Sequence, residues 1–230
     1  MNPHTLEVLY EDNHLLAVSK PAGLATMGTP AGKPPLLAIA RQYVKDHYGK
    51  PGNVYLGIVS RLDAPVTGVV VLARTSKSAR RLTEQFRARA VRKTYWALVE
   101  GAVRPATGGY VDWVGHDERH RKMRIVGPAL TGAKEARLSY RRLRSLDDAT
   151  LVVTLLEVEI QTGRKHQIRL QLAHHGHPIL GDRKYGSGRA FPAGIALHAL
   201  RLVISHPVSG KAVELESPLP DSWREYGLTR

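Results

Sequence analysis

The stretch Val54-Tyr55-Leu56-Gly57-Ile58-Val59-Ser60-Arg61-Leu62-Asp63-Ala64-Pro65-Val66-Thr67-Gly68-Val69-Val70-Val71-Leu72-Ala73 decides the fold. It holds two apolar, β-branched runs of strand length, Val54–Val59 and Val69–Ala73, which read as buried strands. Between them lies a loop, Arg61–Gly68, punctuated by Pro65 and Gly68. Working outward, short strands and breaks recur. Upstream, Leu6–Tyr10 and Leu15–Ser19 predict a hairpin over Glu11–His14, broken by Lys20-Pro21-Ala22-Gly23. Met27 to Pro35, rich in Gly, Pro and Thr, reads as a loop; Leu36, Leu37, Ala40 and Val44 then recur at helical spacing towards Tyr48. Downstream, Thr75 or Ser76 can cap a helix to about Ala90 that turns Ala79, Leu82 and Phe86 inward. Thr94–Val99 follows as a strand.

Residues 102–136 carry the weakest pattern, a short strand near Tyr110–Val114 and then a charged loop. Arg137–Leu143 and Leu151–Ile160 alternate as antiparallel partners across Asp147-Asp148. A helix is expected from about Lys165 to His175, and Ile195–Ser205 and Lys211–Glu216 form a last hairpin. Hairpins with irregularly placed helices do not make the βαβ alternation of a parallel sheet. The expected class is α+β: a central, mostly antiparallel (mixed) β-sheet with peripheral helices and loops, as a single domain over 1–230.

The 230 residues are 43% apolar and 23% charged, which excludes a disordered or fibrous chain. Basic residues exceed acidic ones by 34 − 20 = 14, a field that concentrates polyanions. Arginine supplies 23 of the 34 cations, and its planar fork suits phosphate contact and base stacking, so nucleic acid is favoured over a membrane surface. No cysteine is present, which removes disulfides, thiolate catalysis and cysteine-ligated metals and fits a reducing cytoplasm. Met1–Leu6 lacks a secretory pattern, and no apolar run approaches the roughly 20 residues that span a bilayer. A monomer is expected, because no surplus apolar stripe remains once the core is assigned.

Three stretches could carry chemistry. Asp63 lies beside Arg61 on a loop anchored by apolar runs at both ends, where a nucleophile or general base can be presented rigidly. The commoner role of such an aspartate is to organise a turn. Gln161-Thr162-Gly163-Arg164-Lys165-His166-Gln167-Ile168-Arg169 is a polar, glycine-bearing helix entry that can hold phosphate, and Arg164 and Arg169 could pair with a buried carboxylate; a merely solvated basic face is the alternative. Tyr95, in Lys93-Thr94-Tyr95-Trp96, could stack on an extruded base or act as acid or base, or be a core tyrosine. Two metal-like patterns are set aside. His116-Asp117-Glu118-Arg119-His120 lacks the glutamate and helical stripe of a zinc-protease motif, and His174, His175 and His177 mark a helix end; no metal is expected at either. Basic residues gather at 74–93, 119–124 and 137–144, in keeping with a phosphate-tracking surface.

Taken in order, these stretches resemble the RluA-type RNA pseudouridine synthases over nearly the whole chain. The resemblance runs from Leu9-Tyr10-Glu11-Asp12 and Ser19-Lys20-Pro21-Ala22-Gly23-Leu24 through Arg61-Leu62-Asp63 with Thr67-Gly68 to Lys93-Thr94-Tyr95. It continues in Thr162-Gly163-Arg164, His166-Gln167-Ile168-Arg169, Gly181-Asp182, Tyr185-Gly186 and Leu197-His198-Ala199. It implies the pseudouridine synthase catalytic fold and isomerisation of uridine to pseudouridine in ribosomal or transfer RNA, with neither metal nor cofactor. It also implies that no small N-terminal RNA-binding module accompanies the catalytic domain, since the pattern starts near Leu6.

By the same resemblance Asp63 would be the nucleophile, attacking the ribose anomeric carbon or assisting a glycal intermediate. Arg169 would pair with it, and Tyr95 would stack on the uracil and serve as the base on the ribose. Arg61 would support the flipped-out uridine and Leu197 would pack on the base, with Lys20, Arg164, His166 and Gln167 among the RNA-contacting residues. Four positions depart from the family pattern: Ser60 and Gln171 stand where histidine is usual, and Val66 and Thr67 of Val66-Thr67-Gly68 stand where the pattern has Thr-Ser-Gly. The alternative, a non-catalytic RNA-binding or chaperone protein with the same cleft, would leave Asp63 dispensable. A metal-dependent nuclease would need an acidic cluster with ligand spacing that the chain lacks.

Overall fold

The first hairpin forms as its sequence predicts: β1 (Glu7–Glu11) pairs antiparallel with β2 (Leu15–Lys20). Asp12 closes the turn, its carboxylate accepting from the amides of His14 and Leu15 at 2.7 Å each. The computed structural model describes residues 6–28, 33–120, 122–148 and 151–229, excepting the side chains of 147, 148 and 151. Within them the chain continues through α1 (Leu36–His47), β3 (Gly57–Ile58), β4 (Thr67–Ala73), α2 (Ser76–Arg87), β5 (Arg92–Glu100), β6 (Thr107–Asp117) and β7 (Lys122–Val126). After these come β8 (Lys134–Asp148), β9 (Leu151–Ile160), α3 (Gln167–His174), β10 (Leu197–Ser205) and β11 (Ala212–Glu216). None of the described helices is long and apolar enough to cross a membrane.

These elements form two compact units. One holds the chain up to Val91 and Ala199–Pro220; the other holds Arg92–His198 and Asp221–Thr229. In the first, β2 lies between β1 and β4, and β10 follows β4, with β11 antiparallel on β10 and β3 on β4. Successive side chains of a strand face opposite ways, and here both faces are covered. Leu15, Ala17, Val69, Val71 and Ala73 pack in one cluster with Leu82 of α2, while Leu16, Val18, Val70 and Leu72 pack in another with Leu36, Ala40 and Val44 of α1. Two buried faces explain why Val69–Ala73 is apolar without interruption. Thr75 caps α2, its hydroxyl accepting from the Ser78 amide at 3.1 Å.

In the second unit the strands run β5-β9-β8-β6-β7, every neighbouring pair antiparallel. Helix α3 packs Leu170 against Val114 of β6 and Ala136 of β8. The α+β class and antiparallel pairing agree with the sequence reading; three details do not. The run Val54–Val59 is paired only at Gly57 and Ile58. Its apolar character comes from packing, since Leu56 is buried and Val54 and Ile58 lie against the same cluster. Residues 102–136, read as mostly loop, carry β6, β7 and the start of β8. Asp112 sits on the inward register of β6 between Tyr110 and Val114, and its polarity masks the alternation. The pair Asp147-Asp148, read as a turn, lies in β8 opposite Val152 and Leu151. Of the loop read at 27–35, residues 29–32 lie outside the described residues, as does Arg121 of the basic run 119–124.

Gly68, at the start of β4, is required twice over. Its φ is +117°, and a Cβ there would lie 2.2 Å from the carbonyl oxygen of Ala199. Only a residue without a side chain lets β10 approach. Gly68→Ala is therefore expected to cost more than about 3 kcal/mol by chemical denaturation, or to prevent accumulation of folded protein. A midpoint equal to that of the wild type would contradict this packing.

Candidate active site

In the first unit the segment Lys20–Thr26 wraps the loop that carries Asp63. The loop turns at Asp63–Val66, closed by a backbone bond from Val66 N to the Asp63 carbonyl at 3.1 Å. Ahead of Asp63, the Thr26 hydroxyl donates to Leu62 O at 2.9 Å and accepts from Leu62 N at 3.2 Å. Behind it, Ala64 O accepts from Gly23 N at 2.8 Å and from Lys20 Nζ at 3.1 Å. Both neighbours of Asp63 are thus tied to one segment, and Asp63 itself is half-buried. Arg61 is exposed, with Nη1 4.0 Å from Met27 Sδ.

Lys20 departs from its expected role in contacting RNA. It is 1% exposed, and its three ammonium protons are directed to the carbonyls of Pro21 at 2.8 Å, Leu24 at 2.7 Å and Ala64 at 3.1 Å. No donor is left for a phosphate. Burial pulls the ammonium down from 10.5 to about 7, while the nearby charge of Asp63 opposes that shift. Lys20 is a buried cation that holds the loop.

The second unit gathers the residues of the helix entry. Arg169 is buried, and Asp182 grips its guanidinium in a two-point contact, Nε to Oδ2 at 2.7 Å and Nη2 to Oδ1 at 2.9 Å. The Tyr185 ring lies 5.2 Å from the Arg169 guanidinium carbon, and its hydroxyl is 2.7 Å from His166 Nδ1. His166 holds φ 56° and ψ 22°, a left-handed conformation uncommon outside glycine, immediately before α3. Arg164, half-buried, donates from Nε to Glu135 O at 2.8 Å.

Gln167, expected among the RNA contacts, is also corrected to a scaffold role. It is 3% exposed; its carbonyl oxygen accepts from the Thr162 hydroxyl at 2.7 Å and Arg164 N at 3.0 Å, and its amide donates to Arg137 O at 3.0 Å. Tyr95 is half-buried on β5 in register with Val158, and Leu197 is 3% exposed at the start of β10. Sequence reasoning missed Asp182 as the clamp on Arg169, although Gly181-Asp182 was legible as a motif, and it missed Thr26 altogether.

The basic runs separate once their partners are visible. Arg137 is paired with Glu135 and Arg141 with Glu157, while Arg142 donates to Val103 O. Lys77, Arg80, Arg87 and Arg89, along and just beyond α2, are exposed, and none makes an ion pair among the described residues. His116–His120 forms no helix; Asp117 accepts from His120 N at 3.0 Å in the β6–β7 turn. Among the described residues, Asp112, His174 and His175 bring their ligand atoms within 4.8 Å of one another. Asp112 there accepts from Gln171 at 2.7 Å and lies 3.3 Å from His175 Nε2, so the trio reads as a hydrogen-bonded cluster at the end of α3.

Replacing Lys20 by Met removes the donor shared by the carbonyls of Pro21, Leu24 and Ala64, of which Ala64 O keeps its bond from Gly23 N, so a loss of about 1–3 kcal/mol is expected. The pH dependence is also set. Between about 7 and 10.5 the unfolded chain holds a proton at Lys20 that the folded chain has released. Stability through this group therefore rises with pH across that window, and the gap between wild type and Lys20→Met should widen from pH 7 to 9 in urea denaturation. A gap that narrows would contradict the downward shift that burial imposes on the Lys20 ammonium.

Comparison with known proteins points one way. The family model for RNA pseudouridylate synthase matches residues 14–174. A ribosomal large subunit pseudouridine synthase D of Pseudomonas aeruginosa is 35% identical, over 95% of this chain and 69% of its own length. A tRNA pseudouridine synthase C of Pectobacterium carotovorum is 34% identical, over 95% of this chain and 60% of its own. The solved structure of human RNA Pseudouridylate Synthase Domain Containing 4 superposes with a TM-score of 0.77 at 26% identity, covering 97% of this chain and 94% of that one. The chain spans about two thirds of the length of the curated relatives it matches. With the family's motifs in register from Lys20 to Arg169, this chain belongs to the RNA pseudouridylate synthase family.

Proposed function

We propose that this chain is an isomerase that converts uridine to pseudouridine in RNA, with Asp63 as the reactive carboxylate. The observation that carries the reading is the double anchoring of Asp63: Leu62 bound to Thr26 on one side, Ala64 bound to Gly23 and Lys20 on the other. The reaction needs a carboxylate held in one place. The bond from ribose C1′ to uracil N1 breaks, the base turns, and a bond from C1′ to C5 forms. N1 takes up a proton and C5 gives one up, so the composition is unchanged and no electron passes to an outside acceptor. That chemistry calls for no redox cofactor. Asp63 either adds to C1′ or assists formation of a glycal.

The target uridine must first leave its stack, at a cost on the order of a few kcal/mol. Stacking on Tyr95 and phosphate contacts offset that cost, and the exposed cations Lys77, Arg80, Arg87 and Arg89 are suited to the latter. In this reading Tyr95 also serves as the base on the ribose, and Leu197 packs on the uracil. Arg61 supports the extruded nucleotide, while Arg164 and His166 contact RNA. Arg169, its plane set by Asp182, is in this reading a further member of the catalytic set. The relatives' names support ribosomal or transfer RNA as the substrate class; in this reading the chain acts in the cytoplasm as a monomer.

Mapping pseudouridine in cellular RNA by carbodiimide-based primer extension tests the proposal. Sites present in the parent should vanish when the gene is deleted, return with the wild type, and stay absent with Asp63→Ala. Restoration by Asp63→Ala would remove Asp63 from the reaction, and sites indifferent to deletion would favour a binding-only role.

A further inference from the structure

We infer that Thr26 is a positioning residue for Asp63, transmitting the rigidity of α1 to the catalytic loop; the inference rests on the reading of Asp63 as the reactive carboxylate. Thr26 is 3% exposed, so its hydroxyl has little water to turn to. That one hydroxyl satisfies both polar groups of the Leu62 backbone, donating to the carbonyl at 2.9 Å and accepting from the amide at 3.2 Å. It therefore stands in for a strand neighbour along a stretch, Val59–Val66, that has no ladder of its own. Leu62 immediately precedes Asp63, so its peptide plane sets where the carboxylate begins.

The other side of Thr26 is bound to a helix. Helix α1 has no side-chain cap at Pro35, and the amides of Leu36 and Leu37 donate instead to Ala25 O at 2.9 Å and Thr26 O at 3.2 Å. Those first-turn amides would otherwise lack partners. Leu36, Ala40 and Val44 of α1 pack in the cluster against which Leu24 and Leu62 also rest. Backbone, hydroxyl and apolar contact thus run from α1 through Thr26 to Leu62, and a 12-residue helix, not the loop itself, fixes the approach of Asp63.

Only the hydroxyl performs this bridging, so Thr26→Val and Thr26→Ser separate it from packing. Valine keeps the shape and leaves Leu62 N and O unpaired; serine keeps the bridge. Catalytic groups displaced by about 1 Å lose on the order of 100-fold in rate. Thr26→Val is expected to lower the single-turnover rate at saturating RNA by about 10- to 100-fold with RNA affinity within about 2-fold, and Thr26→Ser to stay within about 3-fold of the wild type. Independently of any activity, amide exchange at Leu62 should accelerate by at least about 10-fold in Thr26→Val and remain protected in Thr26→Ser and in Asp63→Ala.

Unchanged Leu62 exchange in Thr26→Val, or equal rate losses in Thr26→Val and Thr26→Ser, would overturn the inference. If Thr26→Val frees the Leu62 amide while Asp63→Ala keeps full activity, the bridge stands and the reading of Asp63 is what fails.

Discussion

A buried ammonium surrounded by three carbonyls is the point about which the candidate site is organised. Lys20 ends β2, and its Nζ draws together the backbone of Pro21, Leu24 and Ala64, three places that no regular element would hold side by side. The hydrophobic effect can bury the loop around Asp63 but cannot orient it, because it is not directional. Directed bonds from Lys20, Gly23 and Thr26 supply the orientation. Burial disfavours the charge on Lys20, and Asp63 nearby restores part of it. The cation and the proposed reactive carboxylate are therefore energetically coupled.

The second unit solves a similar problem with the opposite assignment of charge. There the buried cation is Arg169, and the group that orients it is Asp182, through two parallel hydrogen bonds. The surrounding loop is held by a neutral network instead, in which Gln167, Thr162 and Arg164 satisfy one another and the backbone of Arg137. The strained backbone of His166 is tolerated because the turn is fixed on both sides, by this network and by α3. Residues that looked like ligand contacts in the sequence are in part the scaffold on which such contacts are mounted.

How much was legible in the chain follows from what each signal measures. Continuous apolar runs located β2 and β4 because both faces of those strands are covered, but the same signal overstated Val54–Val59, where burial comes without pairing. Alternation located β9, yet failed at β6, since Asp112 occupies an inward position and is satisfied by Gln171, which no local pattern announces. Motif spacing picked out Asp63 and Arg169. It could not distinguish Lys20 and Gln167, whose polar atoms are spent on backbone partners, from residues that face solvent. Nor could it single out Thr26, whose partner lies 36 positions away. Exposure and partner identity are tertiary facts.

The central claim is that Asp63 acts directly in moving the glycosidic bond from N1 to C5. Forming that bond expels the hydrogen at C5, so tritium placed there reports each turnover. The most direct measurement is release of tritium from RNA labelled at uracil C5, with purified wild type compared with Asp63→Asn, which keeps shape and loses the carboxylate. The account predicts release by the wild type and none above background by the variant at equal RNA binding. Release by Asp63→Asn at the wild-type rate would contradict it.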